Sequence, residues 1–146
     1  AENNYFGKPC GLMDQMACAL GNIVFIDFAD KKNPCFEPIE LDFSKKGYSL
    51  IITDVHADHA DLTNEYAAIA GEMKQVSSFF GKETLSEVKE GLFYNSLSAL
   101  REYVSDRAIL RSMHFFDECK RTTAAARALR GENIKEFLMQ VNAFIL

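Results

Sequence analysis

The sequence predicts an α+β fold, in which a short helix and three strands come first and helices follow. Three observations carry that expectation. Stretches rich in β-branched and aromatic residues, "NIVFIDF", "FEPIELDF" and "YSLIITDV", all fall before residue 56. From Thr63 onward, apolar residues recur at the three- and four-residue spacing of helices with one buried face. Between these runs stand turn-forming segments such as "ADKKNPC" and "SKKG".

Taken in order, Pro9 and Gly11 precede a helical pattern of Leu12, Met13, Met16, Ala19 and Leu20, which Gly21 is suited to stop. "NIVFIDF" is expected as a strand, and "FEPIELDF" as a second in which Pro38 points to an edge or a bend. "YSLIITDV", apolar on both faces, is expected as a third and central strand. Asp61 or Thr63 caps the next helix, whose stripe is Tyr66, Ile69, Met73, Val76 and Phe80, with Gly81 ending it. "TLSEVKEGLFYNSLSALREYV" gives short helices. Ser105 then caps a long helix with Leu110, Met113, Phe116 and Ala124 inward and Gly131 as its stop. Asn133 caps the last helix. The strands give way to helices at a seam between residues 37 and 47.

Composition narrows the function classes. With 146 residues and 48% hydrophobic content, the chain can bury a core of one domain or parts of two. A formal net charge of -5 argues against nucleic acid or an anionic membrane as a partner. No apolar run approaches the ~20 residues of a spanning helix, and "AENNYFGKPC" lacks an export pattern. Cys10, Cys18, Cys35 and Cys119 show no CxxC spacing and are expected as free, buried thiols of a cytoplasmic protein. The chain opens on Ala1 and closes on apolar Phe144, Ile145 and Leu146, where exposed ends are usually polar. A piece of something longer is the expectation.

Two segments concentrate chemistry-bearing side chains. "TDVHADHADLTNEY" places two histidines and three aspartates between Asp54 and Asp61. Transition metals take such ligands when they converge on one centre. His56 and His59 share a face only in a helix, whereas in an extended segment His56 and Asp58 point one way and His59 the other. The competing reading is a solvated loop with Asp61 as a cap; a metal-dependent hydrolase built on His56–Asp61 is the functional one. The second segment, "CGLMDQMACALG", sets Asp14 in the first turn of a helix otherwise filled with Leu, Met and Ala, in a turn expected near the core. There it either supports its own helix through the unpaired N–H groups and the dipole, or accepts a hydrogen bond from a substrate hydroxyl. Gly11, one turn earlier, lets a ligand approach the backbone closely.

"ENNYFGKPCGLMDQMACALG" resembles the stretch of galactokinases around their catalytic aspartate, whose pattern reads roughly E-x-x-Y-x-G-x-x-C-G-[IL]-M-D-Q. Glu2, Tyr5, Gly7, Cys10, Gly11, Leu12, Met13, Asp14 and Gln15 meet it. "FIDF", "HADLTNEYAAIAGEMKQVSSFFGK" and "ALREYVSDRAILRSMHFFDECKR" are similar to later parts of the same family, so the resemblance runs to about Asn142. His56, Ala57 and Asp58 stand where the family has a small turn, so His59 and Asp61 read as loop and cap and no metal is expected.

The resemblance implies membership of the GHMP kinase superfamily. Residues 1–40 would end its N-terminal catalytic domain, and residues 41–146 would be an incomplete, mostly helical C-terminal domain. It implies ATP-dependent phosphorylation of galactose, or a related hexose, at O1. Asp14 would lie beside the C1 hydroxyl as general base or as electrostatic anchor, Gly11 would offer backbone contact to the sugar, and Tyr66 would pack against it. Tyr66 also suits the core of its own stripe. An ordinary aspartate titrates near pH 4 and is a weak base at neutral pH, and positioning and charge neutralisation dominate phosphoryl transfer. ATP and Mg2+ would belong to the full-length enzyme. None is expected on this segment, which lacks the family's glycine- and serine-rich phosphate loop, its N-terminal sugar motif and its late glycine-rich motif. The segment alone is therefore expected to be inactive, with a homodimer through faces exposed by truncation as its candidate assembly. The alternative is a galactokinase-like sugar sensor or regulator without turnover, against which retention of Asp14 speaks.

Overall fold

A computed structural model describes Tyr5 and residues 11–30, 32–54, 56 and 63–143. It is mostly helical, with one two-stranded sheet. In chain order the elements are α1 (Met13–Leu20), β1 (Ile23–Asp27), β2 (Cys35–Ile39), α2 (Thr63–Phe79), α3 (Glu90–Asn95), α4 (Leu97–Tyr103), α5 (Asp106–Arg130) and α6 (Ile134–Ala143). Single 3-10 turns lie at Ser44–Lys46 and Leu85–Glu87. The class is α+β, as the sequence predicts. The described residues divide into two compact units, one from Ala1–Pro9 and His59–Lys120, the other from Cys10–Asp58 and Arg121–Leu146.

The second of these units contains the sheet. β1 and β2 pair antiparallel, with Ile23 opposite Ile39 and Phe25 opposite Glu37. Their connection is organised by Asp30, whose carboxylate accepts the backbone N–H of Lys32 at 2.9 Å and that of Asn33 at 3.3 Å. Aspartate favours such turns because its side chain bonds the backbone two residues on. These bonds, the one from Lys32 foremost, hold the Asp30 carboxyl below its ordinary range. Pro38 sits opposite Val24; it is tolerated because in a two-stranded sheet each strand has one edge without a ladder to interrupt. Ile39 packs with Ala126, Leu129 and Ile134, and Ile23, Phe25, Leu41, Phe43, Phe137 and Leu138 close around them.

The expected third strand does not form. Residues 48–54 have no regular structure, and Leu50 and Ile52 are each 89% exposed. Strand-forming composition stabilises a strand only through cross-strand pairs and same-face packing, and no described strand borders "YSLII". Nor is α1 near a core: none of its residues is buried, and Leu12 and Met13 are exposed. Cys18, Cys35 and Cys119 are thiols outside any disulfide, but they are exposed, where burial was expected. They lie on strand and helix faces turned outward. Cys10 lies outside the described residues.

The helical unit is built on Val76, Phe93, Leu100 and Ala108, all fully buried, together with Leu85, Val88, Ile109 and Phe116. The Phe93 and Phe116 rings meet at 5.1 Å between centroids. The buried hydroxyls have acceptors: Ser112 donates to the Ala108 carbonyl at 2.8 Å, and Ser77 lies 3.0 Å from that of Lys74. The stripe of α2 sinks only in its second half. Val76 is buried and Met73 half-buried, but Ile69 and Tyr66 are exposed. Past Phe79 the chain turns at Gly81, φ +68°, where the Lys82 N–H reaches back to the Ser77 carbonyl at 3.0 Å. This is the left-handed cap that glycine favours.

The caps expected for α5 and α6 both form. Ser105 accepts the Ala108 N–H at 3.2 Å, and Asn133 accepts that of Glu136 at 3.1 Å, so both caps are present. Leu110, expected inward, is 63% exposed. The buried face runs through Ala108, Ser112 and Phe116, and a residue two positions from Ser112 points roughly 200° away. α5 stops at Arg130, directly before Gly131 as expected, and the left-handed residue of the closing turn is Glu132, φ +53°. Asn133 N–H closes that turn on the Ala128 carbonyl at 2.8 Å.

Leu100→Ala is expected to cost about 3 kcal/mol in denaturant unfolding, and Leu110→Ala less than about 0.5 kcal/mol. Gly131→Ala is expected to be neutral or to stabilise by about 0.5 kcal/mol, because its added Cβ meets nothing closer than the Arg127 carbonyl at 3.6 Å. A glycine serving as the left-handed cap would instead lose stability on the same change.

Candidate functional site

Asp14 occupies the first turn of α1, a helix whose preceding residue, Leu12, contributes no side-chain cap. The backbone N–H groups at such a start have no intrahelical acceptor and favour a neighbouring anion. The Asp14 side chain is exposed. Gly11 stands just before this turn, and a Cβ added there would meet nothing within 4 Å. Internal packing therefore does not require glycine at this position, and the backbone is open to approach. Gly11 and Asp14 thus share one helix start in the sheet-containing unit.

Tyr66 belongs to the helical unit, near the start of α2, and is 53% exposed. The reading of Tyr66 as a core residue fails: the apolar cluster takes Met73, Val76 and Phe79 from this helix and stops there. Its ring is free to meet a ligand.

In the histidine-rich segment, Asp54 accepts the His56 N–H at 2.8 Å and lies 3.2 Å from His56 Nδ1. His56 has φ +52°, a local turn closed by its own aspartate. Asp58, His59 and Asp61 lie outside the described residues. Among the described residues no three His, Cys, Asp or Glu side chains gather as a metal would need.

A groove of about 750 Å³ lies at the other end of α1, along Leu20–Ile23, Pro38–Phe43 and Tyr48–Leu50. Its walls are mainly apolar, and Asp14 is not among them. The same sheet-containing unit carries ion pairs. Lys46 pairs with Glu132, and Arg130 grips Glu37 through Nε at 2.8 Å and Nη2 at 2.7 Å while lying over the Phe25 ring. Arg130 holds the Glu37 carboxyl below its ordinary range, and Lys46 does the same for Glu132.

Sequence reading missed a second ionic cluster. Glu72 on α2, only 8% exposed, receives Arg107 Nε at 2.7 Å and Arg111 Nη1 at 2.7 Å from α5. Glu65 lies within 3.9 Å of both guanidinium groups. The signal was present as Glu65 and Glu72 seven apart and Arg107 and Arg111 four apart, each pair on one helical face.

No protein-family model matches the chain. Curated relatives do. Human galactokinase is 30% identical over 137 residues, which are 94% of this chain and 33% of the human protein. The galactokinase of Canis lupus familiaris is 32% identical over 133 residues, 90% of this chain and 32% of its own length. That of Glaesserella parasuis serovar 5 (strain SH0165) is 27% identical over 136 residues, 93% and 34%. The chain spans about a third of the length of these relatives. It is thus related to sugar kinases along nearly its whole length. Specifically, it is a galactokinase-related segment.

The carboxyls of Glu37 and Glu132, held low, add stability that is complete above the ordinary glutamate range and is lost as pH falls from that range through their lowered folded-state values. The melting temperature is therefore expected to drop between about pH 5 and about pH 3. Glu37→Gln, which keeps shape without charge, should make that drop shallower.

Proposed function

We propose that this chain is the sugar-side portion of a galactokinase, an enzyme that moves the γ-phosphoryl of ATP to O1 of galactose or a related hexose. One observation carries the reading: similarity to galactokinases covers nearly all of the chain. The exposed carboxylate of Asp14 at a helix start supports it. Within it, Asp14 accepts a hydrogen bond from the C1 hydroxyl and orients the attacking oxygen. Gly11 lends its uncrowded backbone to the sugar, and the exposed ring of Tyr66 packs against the pyranose. An aromatic face suits the C–H surface of a sugar. In this reading residues 1–40 end a GHMP N-terminal domain and residues 41–146 belong to the C-terminal one.

The residues present do not fit ATP or Mg2+. No glycine- and serine-rich loop occurs in the sequence, and no acidic cluster suited to a cation exists among the described residues. Nucleotide and metal would be held by other parts of a full-length enzyme, and residues 1–146 by themselves would not turn over. No helix among the described residues is long and apolar enough to cross a membrane. A cytoplasmic location belongs to the same proposal, supported by the galactokinase kinship and by thiols outside any disulfide at Cys18, Cys35 and Cys119. So does a homodimer, for which the bare side chains of Leu50, Ile51 and Ile52 offer apolar surface.

In the full-length protein, Asp14→Ala is expected to lower turnover by about 10²-fold or more while galactose binding, measured separately by calorimetry, changes only a few-fold. Tyr66→Ala is expected to weaken galactose binding by about tenfold. Unchanged turnover in the Asp14 variant would sink the role given to Asp14, whereas a full-length parent that binds galactose without turnover would favour a sugar sensor and sink the enzyme reading.

A further inference from the structure

We infer that Arg107 and Arg111 are positioning residues: they fasten the first half of α2, and with it Tyr66, by gripping Glu72 and attracting Glu65 at longer range. The claim that this matters for sugar rests on the role proposed for Tyr66; the fastening itself does not.

The need for a fastener follows from where the apolar packing ends. The core takes only Met73, Val76 and Phe79 from α2. From Glu65 to Gly71 the helix is exposed except for Ala68, which is half-buried. A helical stretch with so little apolar contact opens readily, because isolated turns are marginal in water. Its charged side chains supply what the apolar ones do not. Glu72 is nearly buried and divides its oxygens, Oε1 accepting Arg107 Nε at 2.7 Å and Nη2 at 2.5 Å, Oε2 accepting Arg111 Nη1 at 2.7 Å. Glu65, two turns earlier on the same face, lies 3.9 Å from Arg107 and 3.8 Å from Arg111. Charge-assisted bonds to a shielded carboxylate are the strong kind, and losing one partner leaves the other's charge uncompensated. Tyr66 is the neighbour of Glu65 in the chain, so its placement follows that of the clamped turn.

Hydrogen–deuterium exchange on the full-length protein, read by peptide, separates this from a general structural role. Arg111→Met is expected to speed exchange across residues 65–72 by about tenfold or more, while peptides holding Phe93 and Leu100 keep their rates. The galactose dissociation constant should rise several-fold, and turnover at saturating sugar should stay near that of the parent. Arg111→Lys, which keeps charge but not the fork, should fall between the two, and serves if Arg111→Met does not fold. Equal acceleration in the core peptides, or unchanged exchange in 65–72, overturns the inference. Faster exchange with unchanged galactose affinity overturns the link to Tyr66. A parent protein that binds no galactose would overturn the sugar reading itself, and the exchange rates would still decide the clamp.

Discussion

The 25-residue helix Asp106–Arg130 is the element on which both apolar clusters depend. Its early turns give Ala108, Ile109 and Phe116 to the cluster around Phe93 and Leu100, and its late turns give Ala126 and Leu129 to the cluster around Ile39 and Ile134. Few residues need to be large for this. Alanines at 108 and 126 allow neighbours to approach closely, and burial of Phe93 or Leu100 against that wall contributes roughly 1.5–3 kcal/mol each. The helix carries its charges to the same places: Arg107 and Arg111 beside one cluster, Arg130 beside the other.

Ionic ties take over where apolar contact thins. In the helical unit, Glu72 is bound by two guanidinium groups at the point where the stripe of α2 leaves the core. In the other unit, Arg130 joins Glu37 on β2 and covers the Phe25 ring, and Lys46 joins the Glu132 that ends α5. The pair with Glu132 falls on a residue in the left-handed conformation, which is otherwise unfavourable for a side chain larger than glycine. Exposed pairs of this kind are individually weak. Arg111 with Glu72, more shielded than the rest, is the one whose disruption reaches furthest.

The proposed chemistry asks little of this segment in covalent terms. Phosphoryl transfer depends on placing the acceptor oxygen and neutralising charge. A carboxylate at a helix start, an open glycine and an exposed aromatic ring address only the first of these. A nucleotide site is a separate requirement, which in the proposed reading other parts of a full-length enzyme would meet.

By itself the sequence determined the helices, their caps at Ser105 and Asn133, the hairpin before residue 40 and the relation to galactokinases. Each depends on neighbours within a few residues: a hydroxyl two or three positions from an N–H, an apolar period, a turn-forming Asp30. Tertiary structure alone decided which apolar residues are covered. Leu110 and "YSLII" have the composition of buried segments, yet burial depends on a partner surface that local spacing does not encode. It also decided that Tyr66 stands outside the core and that Glu72 meets Arg107 and Arg111, because residues 35 and 39 positions apart become neighbours only when two helices pack.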